Sequence, residues 1–167
     1  MAASVEPLLP YIKPDWIGVE IGVAEGDSAV ALFGHGVKFL YMIDPWAPYP
    51  EDGRADFHEE RFRQALERTT PHCGRRAHLR MTSAEAARFV PPQLDFVWID
   101  GNHQYEFVKS DIDLYWPKIK PGGLLCGHDY CNSPPHCRVK DAVDDWVRGA
   151  GLPLEVAVPC WLVRKPQ

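Results

Sequence analysis

The chain has 167 residues, 46% of them hydrophobic and 25% charged, which suits one soluble globular domain and leaves little room for a second. Its formal net charge of −5 argues against a nucleic-acid partner, which needs a basic face, and no apolar stretch approaches the roughly 20 residues of a membrane span. The start lacks the basic and apolar regions of a secretory signal, so the five cysteines, an odd number, read as reduced thiols of a cytoplasmic protein.

A single domain over residues 1–167 is expected, of which 1–15 form only a short N-terminal arm. The first strand is expected at Trp16–Ile21 and runs into an acidic, glycine-rich turn holding Glu20, Gly22, Glu25, Gly26, Asp27 and Ser28. A short helical pattern follows, and a second strand at Phe39–Asp44 ends in a lone carboxylate. This is the pattern of a first βαβ unit, with Asp44 placed to accept hydrogen bonds from ribose hydroxyls. Gly18, Gly22 and Gly26 recur every fourth residue, so the G-x-G-x-x-G phosphate cradle is absent. Glu20 and Glu25 put negative charge where a pyrophosphate needs bare amides. The pocket therefore suits a nucleoside ligand without phosphate, and one bearing positive charge.

The segment Pro45–Gly53 carries three prolines beyond the second strand, so it is neither helix nor strand. It reads either as a stiff connector or as a pocket wall offering Trp46 and Tyr49. Asp56-x-x-Glu59 is a capping-box pattern ahead of Phe62, Ala65 and Leu66, and Thr82-x-x-Glu85 is another ahead of Ala86, Ala87 and Phe89. Arg61, Arg63, Arg68, Arg75, Arg76 and Arg80 alternate with acids and read as a solvated face rather than an RNA site. Further strands are expected at Ala77–Met81, Leu94–Ile99 and Gly123–His128. A stripe of Tyr105, Val108, Ile112 and Tyr115 should stop at Pro117, and Val139, Ala142, Val143, Trp146 and Val147 form the clearest helical stripe. The aromatic members of these stripes are expected in the core. A second proline-bearing loop, 131–138, should sit over the same sheet edge as the first. It brings His128, Cys131, His136 and Cys137 within ten residues, but without any Cys-x-x-Cys pair for a structural zinc site. Leu154–Val158 and Trp161–Arg164 are separated only by Pro159-Cys160, too little for a crossover, so they must pair antiparallel.

Glu20-x-Gly22-x-x-x-Gly26 and Asp44, then Phe96–Glu106, Trp116–Gly123 and Gly127–Tyr130, resemble in order the motifs of class I S-adenosylmethionine-dependent methyltransferases. The branch they resemble is that of the small macrocin-type O-methyltransferases and cephalosporin-hydroxylase-like proteins, over roughly residues 16–148. The resemblance implies a Rossmann-like α/β sheet, mostly parallel with a C-terminal antiparallel hairpin and helices on both faces. It implies S-adenosylmethionine binding by Glu20, Gly22, Gly26, Ser28, Asp44, Ser83 and Asp100, with Ser83 beside the adenine and Gly22 leaving room for the ligand. For chemistry it directs attention to Asp100, His103, His128 and Asp129 at adjacent strand ends. Two carboxylates that close repel unless a proton or cation lies between them, so Asp100 and Asp129 suit Mg²⁺ or Mn²⁺. Either histidine suits the role of base at neutral pH. The acceptor expected is a hydroxyl of a small molecule, a sugar or a phenol, with Tyr130 as a wall and a homo-oligomer closing the pocket. Two rivals are a catalytically silent S-adenosylmethionine-binding partner subunit or sensor, and an NAD-dependent enzyme, which the glycine spacing disfavours.

Overall fold

A computed structural model of the protein describes residues 3–48, 55–133 and 136–167. Seven strands form one sheet: β1 (Ile17–Ile21), β2 (Phe39–Ile43), β3 (Arg76–Leu79), β4 (Leu94–Ile99), β5 (Ile119–Gly127), β6 (Glu155–Ala157) and β7 (Cys160–Arg164). Their order is β3-β2-β1-β4-β5-β7-β6. The first five run parallel, β7 is antiparallel to β5, and β6 pairs antiparallel with β7 through Ala157↔Cys160. Parallel neighbours need crossovers, and these are the helices α1 (Asp27–Gly34), α2 (Ala55–Thr69), α3 (Ser83–Ala86) and α4 (Tyr105–Tyr115). Helix α5 (Val139–Ala150) then carries the chain to the terminal hairpin.

All six residues of β4 are buried, because helices cover both faces of the sheet. Val97 and Ile99 join a core with Val108 and Ile112 of α4 and Val143 of α5. Phe96 and Trp98 point to the opposite core, with Leu32 of α1 and Ala65 of α2. The N-terminal arm belongs to this second core. A 3-10 turn at Glu6–Tyr11 follows Val5, and Val5, Leu8 and Ile12 are all buried. Among the described residues no helix is long and apolar enough to cross a membrane.

Several boundaries differ from the sequence expectation for local reasons. Strand β5 starts at Ile119 rather than Gly123, because Pro121-Gly122-Gly123 is absorbed as a bulge instead of ending the strand. The pairing advances two residues on β4, from Leu94 to Phe96, while β5 advances from Ile119 to Leu124. Helix α2 already includes Asp56 in its first turn, where an acid suits the helix dipole, so Asp56 is not the cap. Thr82 does cap α3, with Glu85 closing a capping box. Phe89 is 52% exposed rather than in the core, with the Arg88 guanidinium over its ring.

Candidate active site

The carboxyl ends of β1, β2, β4 and β5 lie along one sheet edge, so Glu20, Asp44, Asp100 and Asp129 are delivered to one side by strand register alone. A cavity of about 620 Å³ opens there, lined among others by Ser4, Glu20, Asp44, Asp100, His103 and His136. Three non-glycine residues around it, Ala24, Trp46 and Asp129, hold positive φ of 51°, 41° and 50°. Such strain gathers where a turn must aim a group.

The three early glycines are needed for three different reasons. A side chain at Gly18 would strike the Phe96 ring at 2.2 Å. A Cβ on Gly22 would lie 2.1 Å from the Asp100 carbonyl oxygen, and its φ is +86°. Gly22 lines the cavity, and its missing side chain also makes room for the residue that follows β4. Gly26, also at φ +86°, precedes α1 and faces Ala65 of α2.

Glu20 is 1% exposed, and neither carboxylate oxygen has a hydrogen-bond partner among the described residues. Burial, then the nearby charges of Asp100, Asp44 and Asp27, push its carboxyl well above the usual range. Asp44 is its opposite. Its Oδ2 accepts from the backbone N–H of Val23 and of Ala24, each at 3.0 Å, and its Oδ1 accepts from Trp46 N–H at 2.7 Å. Glu25 holds Arg61 through both carboxylate oxygens, at 2.7 and 3.1 Å. Ser28, at the start of α1, is buried with its Oγ 2.9 Å from Ser4 Oγ, and Ser4 donates to Asp100 Oδ2 at 2.6 Å.

His103 lines the cavity, and its Nε2 and His128 Nδ1 lie 3.0 and 3.1 Å from the same oxygen, Asp129 Oδ2. His128 Nδ1 is also 3.8 Å from Asp100 Oδ1. The Asp129 carboxylate raises the pKa of both imidazoles above the ordinary histidine value, and they in turn hold Asp129 far below the usual carboxylate range. Burial raises Asp100. Asp100, His103 and Asp129 offer ligand atoms all within 4.8 Å of one another. Among the described residues this is the group that could hold a metal ion; the cysteine-bearing loop forms none.

Of the expected residues, Gly26, Ser83, His128, Asp129 and Trp46 do not line this cavity. The Ser83 carbonyl accepts from Tyr115 at 2.7 Å, and burial pushes the carboxyl of Asp111 on the same helix α4 up to about 6. Trp46 is 2% exposed, packed on Phe62 at 4.7 Å, with its indole N–H donated to Ala24 O at 2.8 Å. It fixes the loop rather than walling a pocket. Tyr49 lies outside the described residues. The sequence reading missed Ser4, although Val5, Leu8 and Ile12 form an apolar stripe that could have shown the arm docking on the sheet.

A family profile described as a methyltransferase domain matches residues 19–130. An uncharacterized protein of Acanthamoeba polyphaga mimivirus is 30% identical over 126 residues, covering 72% of this chain and 54% of its own length. The chain thus spans about half the length of that curated relative. Among solved structures, an rRNA methylase from Streptococcus thermophilus is similar with TM-score 0.67 and 17% identity, over 98% of this chain and 95% of that one. An S-adenosylmethionine-dependent O-methyltransferase from Thermotoga maritima is similar with TM-score 0.64 and 13% identity, over 96% of this chain and 63% of that one. A Streptococcus mutans protein solved with S-adenosylhomocysteine is similar with TM-score 0.69 and 13% identity, over 98% and 97%. With its sheet order, its acid-edged cavity and the family match over residues 19–130, this chain belongs to the methyltransferase-domain family.

Proposed function

We propose that this chain, as one domain, moves a methyl group from S-adenosylmethionine to a hydroxyl oxygen of a small molecule bound between the ends of β4 and β5. The observation that carries this reading is the pair of imidazoles sharing Asp129 Oδ2, of which His103 lines the same cavity as Glu20 and Asp100. When bound, the donor supplies an activated methyl on a sulfonium. Glu20, buried and without a partner, takes the ammonium of the donor's amino-acid end, with Ser28 and the Asp100 backbone beside it. Gly22 and Gly26 shape the turn. Asp44 spends three acceptor positions on amides, leaving about one lone pair for a ribose hydroxyl.

His103 lines the cavity and is the base. Its Nε2 lies 3.0 Å from Asp129 Oδ2, so a neutral ring that keeps its proton on that side leaves Nδ1 to take the acceptor's proton. Asp129 orients this imidazole, and His128 shares that carboxylate. A second reading is favoured by the convergence of Asp100, His103 and Asp129: these residues would hold a divalent ion such as Mg²⁺ or Mn²⁺. The chemistry such an ion supplies is a lower pKa for a hydroxyl at the site. Chelator treatment separates the two, since only the second loses turnover.

The small-molecule acceptor is supported by charge. The cavity is lined by Glu20, Glu25, Asp27, Asp44 and Asp100, and its Arg61 is already paired, which repels a phosphate backbone. The test is transfer of radiolabelled methyl to panels of phenols, sugars and rRNA. Label entering a phenol or sugar, lost by about 100-fold or more in Asp129→Asn with S-adenosylhomocysteine affinity kept, is the expected result. Label entering rRNA instead overturns the acceptor class, and undiminished transfer by Asp129→Asn overturns the role of the cluster.

A further inference from the structure

Ala3 and Ser4 precede the segment matched by the family profile, yet both line the donor cavity. The arm's anchoring is done by other atoms. Val5, Leu8 and Ile12 are 0%, 1% and 2% exposed in the core beneath, and Cys160 Sγ donates to the Ser4 carbonyl at 3.4 Å. Ser4 lines the cavity, and its hydroxyl adds polar contacts to this apolar anchoring. It sits 2.6 Å from Asp100 Oδ2 and 2.9 Å from Ser28 Oγ. A carboxylate only accepts, so the Ser4 proton goes to Asp100 and the Ser28 proton goes to Ser4. Two hydroxyls and a carboxylate thus form a chain beside the unpartnered Glu20 carboxylate, in the same cavity.

We infer that Ser4 is a donor-binding residue, and that the N-terminal arm completes the pocket for the amino-acid end of S-adenosylmethionine. The inference rests on the placement of that end beside Glu20 proposed above. The end is a zwitterion. Its ammonium finds counter-charge on Glu20 and Asp100, and hydroxyl protons rotate freely enough to turn from one another to its carboxylate. Hydroxyls from two separate segments, the arm and α1, then grip one end of the ligand. A donor fragment without that end makes none of these contacts. The arm is thereby a part of the site that recognises the tail rather than the nucleoside.

The experiment compares two ligands calorimetrically, S-adenosylhomocysteine, which has the tail, and 5′-methylthioadenosine, which lacks it. Ser4→Ala should weaken S-adenosylhomocysteine about five- to tenfold, the scale of one lost hydrogen bond, and leave 5′-methylthioadenosine unchanged. Ser4→Thr, which keeps the hydroxyl, should restore the difference. Equal weakening of both ligands, or of neither, overturns the inference. Should Ser4→Ala fail to fold, Ser28→Ala reads the same ratio from α1: a loss confined to S-adenosylhomocysteine supports the hydroxyl pair, and an equal loss overturns it. Wild-type protein that binds both ligands equally tightly overturns the placement of the tail beside Glu20 itself, and so fails in a distinguishable way.

Discussion

At the ends of β1 and β2, one acid has no partner and the other has three. At the ends of β4 and β5, one carboxylate oxygen serves two imidazoles and the neighbouring acid is held by a serine. Glu20 is a buried group without a counter-charge, while Asp44 is fully engaged in bracing the glycine turn. Asp129, His103 and His128 compensate one another inside the protein. The difference is one of what each half is waiting for. In the proposed reading the donor half holds an uncompensated carboxyl that a cationic ligand would relieve, and the acceptor half pairs its carboxylate with two imidazoles whose state is set by pH.

The halves meet at Gly22, and the largest expected effect is there. Gly22→Ala puts a Cβ where the Asp100 carbonyl sits and demands a φ that alanine resists. The cost should be roughly 3 kcal/mol or more, from backbone strain together with displacement of β4. Gly26→Ala shares the positive φ, but its nearest neighbour would be Ala65 Cα at 3.4 Å, so it should cost clearly less. Denaturant unfolding of both variants checks this. Equal losses would mean that the close approach of the two halves contributes nothing beyond φ strain.

Glu20→Gln comes next. The folded-state pKa of Glu20 lies above its unfolded value of about 4.3, so the native state binds more protons and stability falls as pH rises from that value toward the raised one. Glutamine removes this slope, and the variant without ligand should be more stable than wild type at neutral pH. The same change should weaken S-adenosylhomocysteine about tenfold or more, because a charge-assisted contact is lost. Unfolding midpoints across pH and calorimetry read the two effects separately. A variant with unaltered affinity would leave the donor half no more specialised than the acceptor half.

The contrast between the halves also explains what the sequence made legible. The alternation of strands and helices and the two-residue spacing at Pro159-Cys160 are local signals, and the mostly parallel sheet and terminal hairpin follow from them. Glu20, Asp44, Asp100 and Asp129 were findable because strand ends sit at the edge of a parallel sheet whatever the helices do. Local patterns failed where a distant element decides. Trp46 reads as a pocket wall among prolines, but Phe62 of α2 and His78 of β3 bury it. Ser83 follows β3 as expected, yet its carbonyl is engaged by Tyr115, which stands on α4. Pro121-Gly122-Gly123 has the residues of a break, and only the facing β4 makes it a bulge. Ser4 has no motif at all; its meaning comes from Ser28 and Asp100, which lie far away in sequence.

The smallest effect is a displaced pH profile, and it tests the acceptor half alone. Asp129 raises His103 and His128 above the ordinary histidine value, so either ring stays protonated further into the neutral range. A base must be unprotonated, and kcat/KM should therefore rise through a limb lying above pH of about 6.5. The stability these rings gain from Asp129 has the matching sign. It is fully present below the unfolded value of about 6.5 and is lost as pH climbs through the raised one. In Asp129→Asn the residual rate should show its limb at lower pH, and the stability step should shrink. The Glu20 slope, which begins near the unfolded value of about 4.3, should survive that substitution. If the limb stays in place in Asp129→Asn, the group that titrates is not one of these two histidines, and the proton leaves the acceptor by another route.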